Sequence, residues 1–268
     1  SAQRLSSLGP LRIETELIRL GSEGQRTVEL FVEDEAGEPQ KRGQQIVEVT
    51  ENGAAAVEFQ IGNLAEGAHQ GHVRIGGQDA LPADDVRYFS VEVRPPWRVL
   101  VVDPRSNHTY VDFLPQMLAP ESLRRRGMSR FECATIAQTD LAKTELDGYS
   151  AVCLADPSPL SAAEWDKLHQ YVAGGGALAV FLGRNARPIA SFNSVEAARL
   201  LAGPLVRQVP SREGDLHLAP GDLRHPILAE FQAVRGAIPW SDMPIFRYWE
   251  LGKTADGTGV VVPYSDGR

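Results

Sequence analysis

The sequence predicts two domains, an immunoglobulin-like β-sandwich over residues 1–95 and a doubly wound α/β domain over residues 96–268. Three observations predict this. From Leu11 to Val93 apolar and polar residues alternate with period two, which sets one row of side chains inward and the other in water. At Arg94-Pro95-Pro96 the alternation stops, because proline cannot donate to a ladder and restricts the residue before it. Beyond that point continuous apolar runs alternate with segments of helical period, as right-handed βαβ crossovers on a parallel sheet require.

In the first half the strand runs are LRIETELIRL, TVELFVED, QQIVEV, AAAVEFQI, GHVRIG and RYFSVEV. Turn chemistry such as EAGEP and ENG bounds them. Six or seven short strands in about 90 residues is the spacing of an immunoglobulin-like sandwich. The Cys…Trp…Cys core of antibody domains is absent. Prolines 95 and 96 make a short, stiff connector to the second half.

The second half opens on WRVLVVD, apolar throughout as a central strand covered on both faces would be. There follow TYVDFLPQMLAP as a helix, FECATIA and YSAVCLAD as strands, SAAEWDKLHQYVA as a helix, ALAVFLG as a strand and NSVEAARLLAG as a helix. The helix from Ser161 carries the fullest signature. Ser161 can cap it, Glu164 stands where a capping box needs it, and Trp165, Leu168 and Val172 form an apolar stripe. Gly174 to Gly176 stop the helix and turn the chain; they precede a strand, whereas a phosphate cradle would precede a helix. From Gly203 onward the signals are mixed. The closing GTGVVVPYSDGR reads as a strand and turn with no evident successor, so the native chain is expected to continue.

Composition narrows the function classes. The net charge of −8 is spread over both signs, which is unsuited to a nucleic-acid backbone. No apolar run reaches the roughly 20 residues needed to span a bilayer, and SAQRLSSLG lacks the apolar core of a signal peptide. The two cysteines, Cys133 and Cys153, lie inside apolar runs and read as buried thiols, with no disulfide framework or thiolate metal cluster.

Three stretches carry a resemblance: the sandwich exit LPADDVRYFSVEVRPPWRVLVVD, the segment YSAVCLADPSPLSAAEWDKLHQYVAGGGALAVFLG, and the closing VVVPYSDGR. Together they resemble the BatA-like membrane proteins of bacteria, which combine a von Willebrand A domain with an extracytoplasmic tail. The resemblance implies that the second domain is class I glutamine amidotransferase-like, with flavodoxin-like topology, on a chain anchored by transmembrane helices outside this segment. The von Willebrand A domain and its metal site also fall outside it, so no metal ligand carries over.

In amidotransferases the tight bend after a strand holds a nucleophilic cysteine, which a histidine with a carboxylate partner activates. Here the bend reads Phe181-Leu182-Gly183-Arg184-Asn185, so Leu182 and Gly183 occupy the nucleophile position. Cys133 and Cys153 are mid-strand. His217 and His225, in DLHLAP and LRHPIL, do not form the expected HxE-type element.

The most site-like residues are Asp103 and Asp156, each followed by proline at the C-terminal end of an apolar strand. In a sheet ordered 2-1-3-4 these strands are neighbours, and the two carboxylates with His108 could bind a hard cation or do acid–base work at the edge where ligands sit. The simpler role for Asp-Pro is to open a turn or cap a helix. His69 and His72 are three apart in a strand and face opposite ways. Arg124, Arg125 and Arg126 read as a solvated helix end, Asp84 and Asp85 as a turn, and Trp240, Phe246, Tyr248 and Trp249 as core or as a protein-contact patch.

The expected function is a non-catalytic interaction or scaffolding segment of a membrane-anchored bacterial envelope protein, itself soluble and on the periplasmic side, using protein partners and no metal or cofactor. The alternative is a hydrolase or small-molecule-binding domain at the sheet edge around Asp103, His108 and Asp156.

Overall fold

The structure is a computed structural model. It describes residues 3–6, 10–19, 21, 23–62, 64–77, 83–104, 113–126, 128–211, 216–232, 234 and 238–267. The chain divides into two compact units, Ser1–Arg98 with Asp112–Cys133, and Val99–Val111 with Ala134–Arg268.

The first unit contains β1 (Gln3–Ser6), β2 (Leu11–Ile18), β3 (Gly24–Glu33), β4 (Pro39–Val49), β5 (Ala54–Ile61), β6 (Gly67–Ile75) and β7 (Val86–Arg94). Every strand expected from the alternation is present. The larger sheet has the order β1-β7-β6-β3-β4, and β2 and β5 form a second, antiparallel pair. The inward rows of both sheets meet in one core: Leu11, Leu17, Val57, Phe59 and Ile61 from the pair, and Val28, Leu30, Val73, Val91 and Val93 from the larger sheet. This is a two-sheet β-sandwich, with polar outward rows held by cross-strand ion pairs such as Glu29 to Lys41 and Arg74, both at 2.6 Å. These contacts hold the half-buried Glu29 carboxyl below its ordinary pKa, the Lys41 hydrogen bond contributing most.

The predicted helix over 109–120 is short: α1 covers Phe113–Leu118, followed by α2 (Glu121–Arg125), and neither has a buried residue. Residues 105–112 lie outside the described part. Arg124 to Arg126 are exposed at the end of α2, where Arg125 pairs with Glu121 one turn earlier.

A second sheet, of β8 (Trp97–Asp103), β9 (Phe131–Ala137), β10 (Ala151–Ala155) and β11 (Ala177–Phe181), all of it but Trp97, Arg98 and residues 131–133 belonging to the second unit, has the order β11-β10-β8-β9. That is the expected 2-1-3-4 order. β10 runs parallel to both β8 and β11, with Leu154 opposite Val102 and Ala155 opposite Phe181. Helix α3 (Ala162–Ala173) covers this sheet and buries Trp165, Leu168 and Tyr171. Its capping box is formed: Glu164 N donates to Ser161 Oγ at 3.3 Å, and Ser161 N donates to Glu164 Oε2 at 2.7 Å. Gly175, at φ +99°, supplies the left-handed step that ends it. Lys167 ties α3 to the preceding turn through the carbonyls of Leu141, Ala142 and Thr144, at 2.6 to 3.0 Å.

Two expectations fail here. The helix predicted over 193–203 is reduced to a 3-10 turn at Ala197–Arg199, and the chain forms a one-turn α4 (Ile189–Phe192) just ahead of it. Asn193 explains this, because its side chain bonds both backbone groups of Leu205, at 2.7 and 2.8 Å, and Ser194 Oγ accepts from Ala197 N. Polar side chains that satisfy the backbone in this way compete with helix formation. The predicted strand in VVVPY is a single bridge between Leu218 and Tyr264, since Pro263 interrupts any ladder. The mixed-signal region instead yields an antiparallel pair, β12 (Leu205–Pro210) and β13 (Arg247–Leu251).

Both cysteines carry thiols; Cys153 is buried and Cys133 half-buried, on strands that flank β8 from opposite sides. Burial pushes the Cys133 thiol above its ordinary pKa, which reduces the reactive thiolate. Unreduced protein denatured in guanidinium should titrate two thiols with a disulfide-exchange reagent. A value below two would show a bridge that this strand order forbids.

Candidate functional site

The C-terminal ends of β8, β10 and β11 bring Asp103, Asp156 and the Phe181-to-Asn185 bend to one edge of the sheet. Asp103 is 1 % exposed at the end of β8. Asp156 follows β10 directly, in the left-handed region at φ +48°, which aspartate tolerates better than most residues. His108 lies outside the described residues.

Asp156 is held by the bend. Its N–H donates to Phe181 O at 2.8 Å. Its carboxylate accepts from Asn185 N at 2.8 Å and from Asn185 Nδ2 at 3.0 Å. The side chain thereby packs directly over Gly183: a Cβ built on that glycine would sit 2.4 Å from Asp156 Cγ and from Oδ1. No residue with a side chain fits at position 183 while Asp156 keeps this position.

The other side of the bend is fixed from β13. Trp249 Nε1 donates to Gly183 O at 2.8 Å, and the Arg187 guanidinium lies 6.0 Å from the Trp249 ring. Leu182 is half-buried and packs against the core cluster of the unit. Phe181, expected at the end of a buried strand, is instead 51 % exposed. Among the described residues β11 is an edge strand, with β10 as its neighbour. The loop after Asp156 is clamped as well, by the buried Gln138, which donates to Ser158 O at 3.0 Å and accepts from Ser158 N at 2.9 Å.

Sequence reasoning named Asp156 and Gly183, assigned no role to Asn185 or Gln138, and read Trp249 only as core or as part of a protein-contact patch. The signal for Asn185 was weak: a residue with two side-chain donors two positions beyond a glycine bend. Nothing in the sequence pointed Trp249 or Gln138 to this bend and loop, because their partners lie 66 and 20 residues away.

The remaining candidates separate. His72 stacks on Phe31 at 4.8 Å and His69 Nε2 contacts Ala65 O at 2.7 Å, so each has a structural contact of its own. Trp240 packs edge to face with Phe231, Tyr248 is buried beside Tyr264, and Phe246 is 67 % exposed, so the late aromatics do not form one patch. Among the described residues no group of three or more His, Cys, Asp or Glu side chains is placed to hold a metal, and no helix is long and apolar enough to cross a membrane.

No family model and no curated protein matches the chain. Partial likenesses to solved structures exist. A β-glucosidase from Listeria innocua is 17% identical over 34% of this chain and 14% of its own, with a TM-score of 0.28. The Bifidobacterium adolescentis GH3 β-glucosidase is 10% identical over 34% of this chain and 16% of its own, at 0.28. A CARDB domain from Pyrococcus furiosus, in complex with di-metal ions, is 12% identical over 35% of this chain and 81% of its own, at 0.30. The chain therefore spans less than a fifth of the glucosidases' length, and at these TM-scores the likenesses carry no functional argument.

Proposed function

We propose that the chain is a non-catalytic interaction or scaffolding segment of a membrane-anchored bacterial envelope protein, whose α/β unit is amidotransferase-like but lacks a nucleophile. The observation that carries this reading is the carboxylate of Asp156 on Gly183. Where an acyl-transfer enzyme of this topology would present a nucleophile on an open bend, this chain stacks the carboxylate that follows β10 against a glycine and ties it to Asn185. The carboxylate is engaged by two N–H donors, which suits a latch better than a general base waiting for substrate. The envelope location rests on the resemblance of the three stretches and the scaffolding role on the missing nucleophile, since fold alone does not dictate function.

The test is an assay of the full chain for glutaminase, esterase and phosphatase activity, with and without divalent metal ions. The expected outcome is no turnover. Activity that Asp156→Ala abolishes would overturn the proposal in favour of a hydrolase at this edge. Leu182→Cys extends the test. It should confer no glutaminase activity, because a lone thiol near pKa 8.5 has no base to deprotonate and orient it. It should instead cost about 1–3 kcal/mol of stability as a shortened, partly buried side chain.

A further inference from the structure

In three strands of the sandwich the inward row of side chains reaches an arginine, and the three arginines lie at the same end. Along β2 the inward positions are Leu11, Ile13, Thr15 and Leu17, and the next in phase is Arg19. β3 starts its inward row with Arg26, ahead of Val28, Leu30 and Val32. β7 starts its own with Arg87, ahead of Phe89, Val91 and Val93. Three arginines on one cavity concentrate guanidinium donors there, and the buried Nη1 of Arg19 is costly unless something pairs it.

The cavity they line has a volume of about 490 Å³, within the range of small-molecule sites. Its buried wall is apolar, made of Leu17, Val28, Val49 and Val73 with Ile75 beside them. Its exposed lining includes Arg87 and Asp84. Arg26 Nη1 and Arg87 Nη1 each donate to the carbonyl of the preceding residue, at 3.1 and 3.4 Å. Arg19 Nη1 is buried with no hydrogen-bond partner among the described residues. A buried, unpartnered guanidinium N–H beside an apolar wall is the complement of an oxyanion joined to an apolar body.

We infer that this end of the sandwich binds an amphipathic anion, a carboxylate or phosphate head on a medium-length hydrocarbon body, with the head on Arg19, Arg26 and Arg87 and the body on the Val28, Val49 and Val73 wall. Arginine suits the head because its planar fork meets either oxyanion with two parallel hydrogen bonds. Asp84 and Asp85 line the same cavity and are the built-in competitors for the arginines.

Calorimetric titration of the full chain with octanoate and octyl phosphate, against octanol, acetate and inorganic phosphate, tests this. At least one of the two charged octyl compounds should bind; the stronger identifies the head group. Octanol, without the charge, and acetate or inorganic phosphate, without the body, should bind at least 10-fold more weakly. Arg19→Met should weaken the charged octyl ligand at least 10-fold, and 1 M salt should weaken it as well. Arg87→Met removes an exposed arginine without touching the core, so it gives the same reading if Arg19→Met fails to fold. Equal binding of octanol and octanoate, unchanged affinity in Arg87→Met, or no binding of either charged compound at millimolar concentration would overturn the inference and leave Asp84 and Asp85 as the partners that close the sandwich end.

Discussion

Gly183→Ala should destabilise the α/β unit by about 3 kcal/mol, at the upper end of the roughly 1–3 kcal/mol typical of overpacking. The added methyl would come 2.4 Å from Asp156 Cγ, far inside van der Waals contact, so one of the two must move. If Asp156 moves, it loses the two N–H bonds from Asn185, and hydrogen bonds to a charged group are worth about 1.5–3 kcal/mol. If the bend moves, it strains the Trp249 Nε1 bond to Gly183 O. The effect is specific to the carboxylate. Asp156→Gly removes it and also suits the positive φ at that position, so the double variant Gly183→Ala/Asp156→Gly should recover much of the loss, with a coupling above about 1 kcal/mol in a double-mutant cycle. Gly221→Ala is the control. Nothing lies within 4 Å of its Cβ position, and it should change stability by no more than about 0.5 kcal/mol. Urea unfolding followed by far-UV circular dichroism measures all four. A Gly183→Ala variant as stable as the parent would mean that Asp156 does not sit on the bend.

Trp165→Ala should cost about 3–5 kcal/mol, the range for emptying a large aromatic site in a core. Trp165 is 0 % exposed on the inward face of α3 and meets Phe192 edge to face at 6.0 Å. It stands in the core beside Leu100, Leu154 and Leu168, the layer that supports the strands ending at the candidate site. Its Nε1 is buried without a hydrogen-bond partner, so its full size comes with an uncompensated polar group, at a cost of about 1–3 kcal/mol. Trp165→Phe discards that group and keeps most of the ring. It should therefore cost less than half of what Trp165→Ala does. The midpoint shift of the same urea transition reads both, and an equal loss in the two variants would show that the indole N–H is satisfied in solution.

Much of the fold was legible because it rests on local periodicity. Alternation over Leu11 to Val93 marked the sandwich strands, and the run WRVLVVD marked a strand with neighbours on both sides, which β8 has. The capping box at Ser161 and Glu164 needs partners only three residues apart, and a sequence displays such a pair directly. The failures came where a side chain met a distant backbone. Asn193 bonds Leu205 and shortens a helix that the apolar spacing of NSVEAARLLAG favours, and Pro263 outweighs the strand propensity of three valines.

The candidate site divides along the same line. The sequence by itself determined that the bend after β11 carries no thiol or hydroxyl, since that depends only on which residues stand at 182 and 183. It also determined that Asp103 and Asp156 end apolar strands. Only the tertiary structure decided that Asp156 lies on Gly183, that Trp249 holds the same glycine from 66 residues away, and that Arg19, Arg26 and Arg87 share one cavity. The physical reason is range. Periodicity, capping and turn chemistry act over a few residues and are written in consecutive positions, whereas a latch or a cavity is made by strands whose order and register are set by the packing of the whole core.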